Sequence, residues 1–180
     1  MAAGDLTTLA SVKTWLGITA TTDDVQLARM VTAASDYIKA WLSRDITSTI
    51  YTNEKYHGTG NGTLVVRQWP ITAIASITVD GSLVDPSLYA FDGRFIYLNN
   101  GYAFNKGRAN VVVTYTAGYT TTPPSLEQAC IEFIGMKYRE RERIGHSSKN
   151  IGGETVAFIV TDLHPNVKTI LRQYSNKVPV

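Results

Sequence analysis

The sequence predicts an α+β fold, mainly α: a helical bundle of about four helices with an inserted antiparallel β meander. Three observations predict it. Apolar residues recur at three- and four-residue spacing toward both ends of the chain, they alternate every second residue between about 50 and 119, and Asp-Gly pairs punctuate the alternating part. A single domain over 1–180 follows, with helical parts 7–43 and 124–176, the β insertion at about 50–119, and a flexible loop at 145–154. With 180 residues and 44% hydrophobic content, such a chain can bury a sizeable core.

Thr7 or Thr8 is placed to cap the first helix, Leu9, Val12, Trp15 and Leu16 share one of its faces, and Gly17 stands where a left-handed terminator belongs. After "ITATTDD", with Thr22 or Asp23 as cap, a second helix runs to about Leu42. Its main stripe is Leu27, Val31, Ala34, Ile38 and Trp41. A second row, Met30, Ala33, Tyr37 and Ala40, widens the apolar arc to roughly 200° at about 100° per residue. That exceeds the stripe a surface helix needs. Either this is the central helix of the bundle, or the Met30 and Tyr37 row faces another subunit.

In "ITAIASITV" the alternation puts Ile71, Ala73, Ala75, Ile77 and Val79 on one side, with Ile74 as the lone exception. Asp80-Gly81 and Asp92-Gly93 are tight-hairpin signals, and "LYAF", "FIYL" and "NVVVTY" supply further strands. Pro70 fits the start of a strand or an edge.

Helix three opens at "PPSLEQA", where Ser125 and Gln128 have the spacing of a capping box and Leu126, Ala129, Cys130, Phe133 and Met136 make the buried face. Continued at the same angular step, the inward direction passes to Lys137, Glu140 and Arg141, while Arg139, Glu142 and Arg143 occupy the other sides. The helix outlives its own core. Its last turns are either a solvated end laced with ion pairs or an arm that meets a charged neighbour. "ETVAFIV" reads as a short strand, and Pro165 starts a final helix with Val167, Ile170, Leu171 and Tyr174 at core spacing.

The composition excludes several function classes. A formal net charge of +2 does not make a general polyanion binder. One cysteine, Cys130, rules out an internal disulfide and any multi-cysteine zinc site and suits a reducing cytoplasm. "MAAGDLTTLASV" lacks a basic-then-apolar leader and no apolar run approaches a membrane span, so a soluble cytoplasmic product without membrane contact is expected. His57, His146 and His164 stand in unrelated contexts with no metal-ligand spacing. "GHSSK" has Lys149 where a nucleophile elbow needs glycine, and "GTGNG" lacks the register and following helix of a phosphate loop. No catalytic, cofactor-binding or metal residue is assigned, no cofactor is expected, and the chain is read as a non-enzyme.

Taken together, "LASVKTWLGITATTDDVQLARMVTAASDYIKAWLSRDI", "VVRQWPITAIASITVDG", "NVVVTYTAGYTTTPPSLEQACIEFIGMKYRER" and "IGHSSKNIGGE" resemble the head–tail connector (adaptor, or head-completion) proteins of tailed bacteriophages. The resemblance covers most of the chain; the larger β region departs from the compact, mostly helical members. It implies a structural virion protein that forms a ring, typically of twelve copies, under the portal protein. Such a ring extends the channel through which genomic DNA passes without sequence-specific binding, and docks the tail-completion or stopper protein. It implies location at the head–tail interface of the virion, with the host cytoplasm as the place of assembly. Candidate subunit-interface residues are then Met30, Tyr37, Lys137, Arg139, Arg141 and Arg143, and candidate portal contacts are Tyr174, Lys177 and Val178. The alternative is a small DNA-binding packaging regulator that uses the basic 137–143 segment as its phosphate contact.

Overall fold

The computed structural model describes residues 4–141, 148–151, 154–157 and 163–175. The chain divides into two compact units, one made of Met1–Ser43 with Thr122–Val180 and one of Arg44–Thr121.

The first unit holds the four α-helices of the described residues: α1 (Leu9–Leu16), α2 (Asp24–Leu42), α3 (Pro124–Glu140) and α4 (Pro165–Tyr174). Thr8 caps α1, its hydroxyl accepting from the Ser11 amide at 3.0 Å, and Gly17 ends it at φ 70° in the left-handed region, where a side chain would be strained. Thr7, its expected alternative, is buried and donates to Glu127 Oε1 at 3.1 Å. The capping box expected at Ser125 and Gln128 does not form. Pro123 is the N-cap of α3, Ser125 lies inside the helix bonded to Tyr174 at 2.6 Å, and Gln128 donates to Glu132.

The core of this unit is Leu6, Val12, Leu27, Val31, Ile38, Leu42, Leu126, Ala129, Cys130, Ile134, Leu163, Val167 and Leu171. α3 packs against each of α1, α2 and α4, and α2 likewise packs against α1, α3 and α4, so the two long helices share the centre of the unit. On α2 the buried stripe is Leu27, Val31, Ala34, Ser35, Ile38 and Leu42; Leu42 takes the inward place expected for Trp41. Ser35 is tolerated there because its hydroxyl donates to the Val31 carbonyl at 2.8 Å and accepts from the Leu6 amide at 2.9 Å.

Beyond α3, β8 (Ser148–Ile151) and β9 (Glu154–Ala157) pair antiparallel with each other. The expected strand in "ETVAFIV" begins where β9 does, while part of the expected 145–154 loop is β8; residues 145–147 and 152–153 lie outside the described residues.

The second unit is built from seven strands: β1 (Thr49–Gly58), β2 (Thr63–Val65), β3 (Ile71–Val79), β4 (Ser82–Leu83), β5 (Tyr89–Asp92), β6 (Phe95–Leu98) and β7 (Gly107–Ala117). They form two antiparallel sheets, ordered β1-β7-β3-β4 and β2-β6-β5. The expectation of a mainly helical bundle with an inserted meander is thereby overturned: strands form a unit of their own, in two sheets whose order is not sequential. β2 and β4 are too short to show a period, and bulges interrupt β1 and β3, so the alternation understated the strand content.

The bulges also correct the reading of β3. Register slips between Ile71 and Ala73 and between Ile74 and Ser76 bring Ile71, Ile74 and Ile77 opposite Ala117, Tyr115 and Val113. Ile74 therefore turns toward the core while Ala73 and Ala75 are exposed. In β1 a slip between Tyr51 and Glu54, with Asn53 at φ 53°, sets Glu54 opposite the buried Val113. This edge strand thus carries an inward charge, a feature that discourages edge-to-edge pairing. Two Tyr hydroxyls and Arg67 answer that charge. Tyr115 donates to Glu54 Oε2 at 2.6 Å, Tyr56 donates to the same oxygen, and Arg67 Nη1 donates to Oε1 at 2.9 Å.

Asp80 and Gly81, at φ 52° and 81°, form the two-residue turn that the Asp-Gly signal predicted between β3 and β4. After β7, Gly118 adopts φ 108°, its amide donates to the Pro70 carbonyl at 2.9 Å, and Tyr119 pairs with Ile46 and Ser48. A Cβ on Gly118 would fall 2.5 Å from the Thr47 carbonyl oxygen, which is why the "YTAGY" stretch has glycine there.

Candidate assembly surface

In the helical unit the predicted interface residues fall on one flank of α2 and along the end of α3. Met30 is half-buried and Tyr37 is exposed, its ring stacked on Phe133 with centroids 5.2 Å apart. With Ala33, Ala34, Ile134 and Lys137 they line an open groove of about 270 Å³ between α2 and α3. Lys137 is its one charged lining residue, and its ammonium lies 5.7 Å from the Phe133 ring centre, a cation–π placement. Of the second apolar row of α2, Ala33, Tyr37 and Ala40 are thus exposed among the described residues.

The end of α3 is tied back to the start of α2. Arg141 is half-buried: its guanidinium stacks 3.8 Å from the Tyr138 ring centre and reaches Asp23 at 3.7 Å. Tyr138 donates its hydroxyl to Asp23 Oδ2. Asp23, the N-cap residue of α2, makes no side-chain cap bond and gives its carboxylate to α3 instead. Nothing in the α3 periodicity signalled this brace, because Asp23 reads locally as a cap. Arg139, by contrast, is exposed.

Arg139 lines a second groove, of about 340 Å³, with Trp15, Glu132, Phe133, Gly135, Met136, His164 and Val167. Trp15 is 52% exposed even though its indole lies over Gly135, where a Cβ would stand 3.6 Å from its Cδ1 and Nε1. A third groove, of about 810 Å³, opens between α1 and α2, floored by Leu9, Ala10, Ala28, Val31 and Ala33 and edged by Asp5, Arg29 and Asp36. Sequence reasoning missed both of these grooves: the one at Arg139 draws its lining from helices distant in the chain, and the other depends on how the consecutive helices α1 and α2 pack.

Among the described residues no group of His, Cys, Asp and Glu is placed to hold a metal ion. No helix among them is long and apolar enough to cross a membrane. Cys130 lies buried beside Ser35, and burial pushes its thiol up to about 12. A thiol in that state is a packed small hydrophobe and not a nucleophile. What the described residues of the helical unit offer is a set of apolar grooves with charged residues among their lining.

A family model described as head completion protein matches residues 5–177. The chain belongs to the head completion protein family. No curated protein matches it. Its fold is similar to that of a chain in the neck of an empty gene transfer agent particle computed with C6 symmetry, at 13% identity and a TM-score of 0.59, covering 100% of this chain and 94% of that one. A chain in the virion of the native gene transfer agent particle matches with the same identity and coverage and a TM-score of 0.60. A third, in the native neck computed with C12 symmetry, matches at 12% identity with a TM-score of 0.58 and the same coverage.

For this head completion protein, the predicted portal contacts stand as follows. Tyr174 is half-buried at the end of α4, bonded to Ser125, while Lys177 and Val178 lie outside the described residues, as does Arg143. The structure brings Met30, Tyr37 and Lys137 together in one groove, sets Arg139 in another, and commits Arg141 to Asp23.

Proposed function

We propose that this head completion protein is a structural, non-catalytic component of the particle neck: a head–tail connector that assembles under the portal as a ring of twelve copies. The ring extends the DNA channel and docks the tail or stopper protein, and genomic DNA passes through without sequence-specific binding. The observation that carries the reading is the apolar row of α2, Met30, Ala33 and Tyr37, which lines an open groove beside the core of the described residues. Membership of the head completion family and the likeness to chains of gene transfer agent necks support the same role. A net charge of +2 suits a lumen that must let DNA slide, because strong phosphate binding would oppose passage. On this reading Tyr174, Lys177 and Val178 reach the portal.

The packaging-regulator alternative has less support, since Arg141 of the basic segment is already spent on Asp23. A reconstruction of the capsid vertex tests the proposal. The chain is expected as a closed ring between portal and tail, and particles made without it should have filled heads and no tails. Normally tailed particles that lack the chain would reject it.

A further inference from the structure

The α1–α2 groove and the groove at Trp15 and Arg139 share no lining residue, as a head-to-tail contact between identical copies requires. Their charges are complementary in order and spacing. One groove carries Glu132 and Arg139 on α3, two helical turns or about 10.5 Å apart. The other carries Arg29 and Asp36 on α2 with the same separation and the opposite sequence of signs.

The apolar parts match as well. Trp15 lies over Gly135, between Glu132 and Arg139, and stands half out of the surface. Between Arg29 and Asp36 the α2 surface falls to Thr32 and Ala33, and Ala10 and Ala28 complete a floor of small side chains with ample room for an indole. Arg29 and Arg139 form no ion pair or hydrogen bond among the described residues. Asp36 pairs with Lys39 at 2.9 Å, but its side chain is 65% exposed, so that surface pair is readily exchanged. Trp and Arg are the residues most often found at the energetic centre of an interface.

We propose that the Trp15 edge of one copy seats in the α1–α2 groove of the next, with α3 and α2 side by side and parallel, Arg139 against Asp36 and Glu132 against Arg29. This seam rests on the ring reading given above. The Met30 and Tyr37 row adjoins the seam through Ala33, which lines both grooves, and forms the rim of the same contact.

The test uses the full chain in assembled particles. Asp36→Arg and Arg139→Asp should each lower occupancy of the neck about ten-fold, the effect of losing one interfacial charge pair, and the double exchange should restore it to within about two-fold. Trp15→Ala should lower occupancy at least as much while the isolated chain keeps its circular dichroism. A chain carrying Asp36→Cys and Arg139→Cys should give an oxidised ladder of multimers on a non-reducing gel, with the buried Cys130 contributing none. A ring that forms with neither rescue nor ladder overturns the seam and leaves the ring reading standing. A wild-type chain absent from the neck overturns both.

Discussion

The Asp23 carboxylate takes the Tyr138 hydroxyl and faces the Arg141 guanidinium at 3.7 Å, so the start of α2 and the end of α3 are fastened by one acid. The acid beside Tyr138 raises that hydroxyl's pKa, which keeps it a donor at any physiological pH. Tyr138→Phe and Asp23→Asn should each lower the thermal midpoint, and the double variant should fall little further than the worse single, because both remove the same bond. Additive losses would mean that the two residues act separately. It follows that charge reversal at Arg141 disturbs the fold, whereas reversal at Lys137 and Arg139, both exposed, isolates assembly.

Two glycines should respond to alanine with opposite signs. At Gly118 the backbone is left-handed and a Cβ would overlap the Thr47 carbonyl, so Gly118→Ala is expected to cost about 2–4 kcal/mol, read from the urea midpoint. Gly135 sits inside α3, and its added Cβ would meet Leu16 and Trp15 at an ordinary 3.6 Å. Gly135→Ala should therefore stabilise by about 0.5–1 kcal/mol through helix propensity alone. A loss there would mean that the Trp15 indole cannot give way.

Features that depend on a few neighbouring residues were legible in the sequence. Thr8 and Gly17 bound α1 as their chemistry requires, Asp80-Gly81 turns β3 into β4, and the Leu27, Val31, Ala34, Ile38 stripe is the buried side of α2. What was not legible depended on partners far along the chain. Ile74 looked like an exception to alternation because nothing local announces a bulge; the pairing with β7 decides it. The wide apolar arc of α2 left open whether that helix was central; it does pack against all three other helices, yet Ala33, Tyr37 and Ala40 of its second row stay exposed among the described residues. Among the candidate site residues, Met30 and Tyr37 were singled out by amphipathicity and Lys137 by the overrun of α3, and the structure brings the three into one groove. Trp15, Arg29 and Asp36, which line the other two grooves, were passed over because each looks ordinary on its own helix.

Cys130 offers a readout of global unfolding. Burial holds its thiol protonated, so at pH 8 the native chain should react with a soluble thiol reagent only as fast as it unfolds. The sign of the linkage is also fixed. Since the folded pKa lies above that of a free thiol, about 8.5, the contribution of this group is fully present below that pH and is lost as pH rises toward the folded value. Cys130→Ala should remove that alkaline dependence, and rapid labelling of the native wild type would contradict the burial.

Glu54 sets the acid side in the β unit. Burial alone would raise its carboxyl pKa, but hydrogen bonds from Tyr115, Tyr56 and Arg67 outweigh that and hold it below the usual carboxylate range. The same contacts act on the phenols in the opposite sense: burial and then the Glu54 bond push Tyr56 up to about 12, and Tyr115 is raised as well. A carboxylate with a depressed folded pKa stabilises above its unfolded value, about 4.3, and that contribution is lost as pH falls through the folded value. Glu54→Gln should accordingly be less stable than wild type at pH 7, with the gap narrowing as pH drops below about 4. The comparison is made by urea unfolding at a series of pH values with tyrosine fluorescence as the probe. A gap that stayed constant down to pH 2 would show that the inward turn of β1 at Asn53 serves packing and not the charge of Glu54.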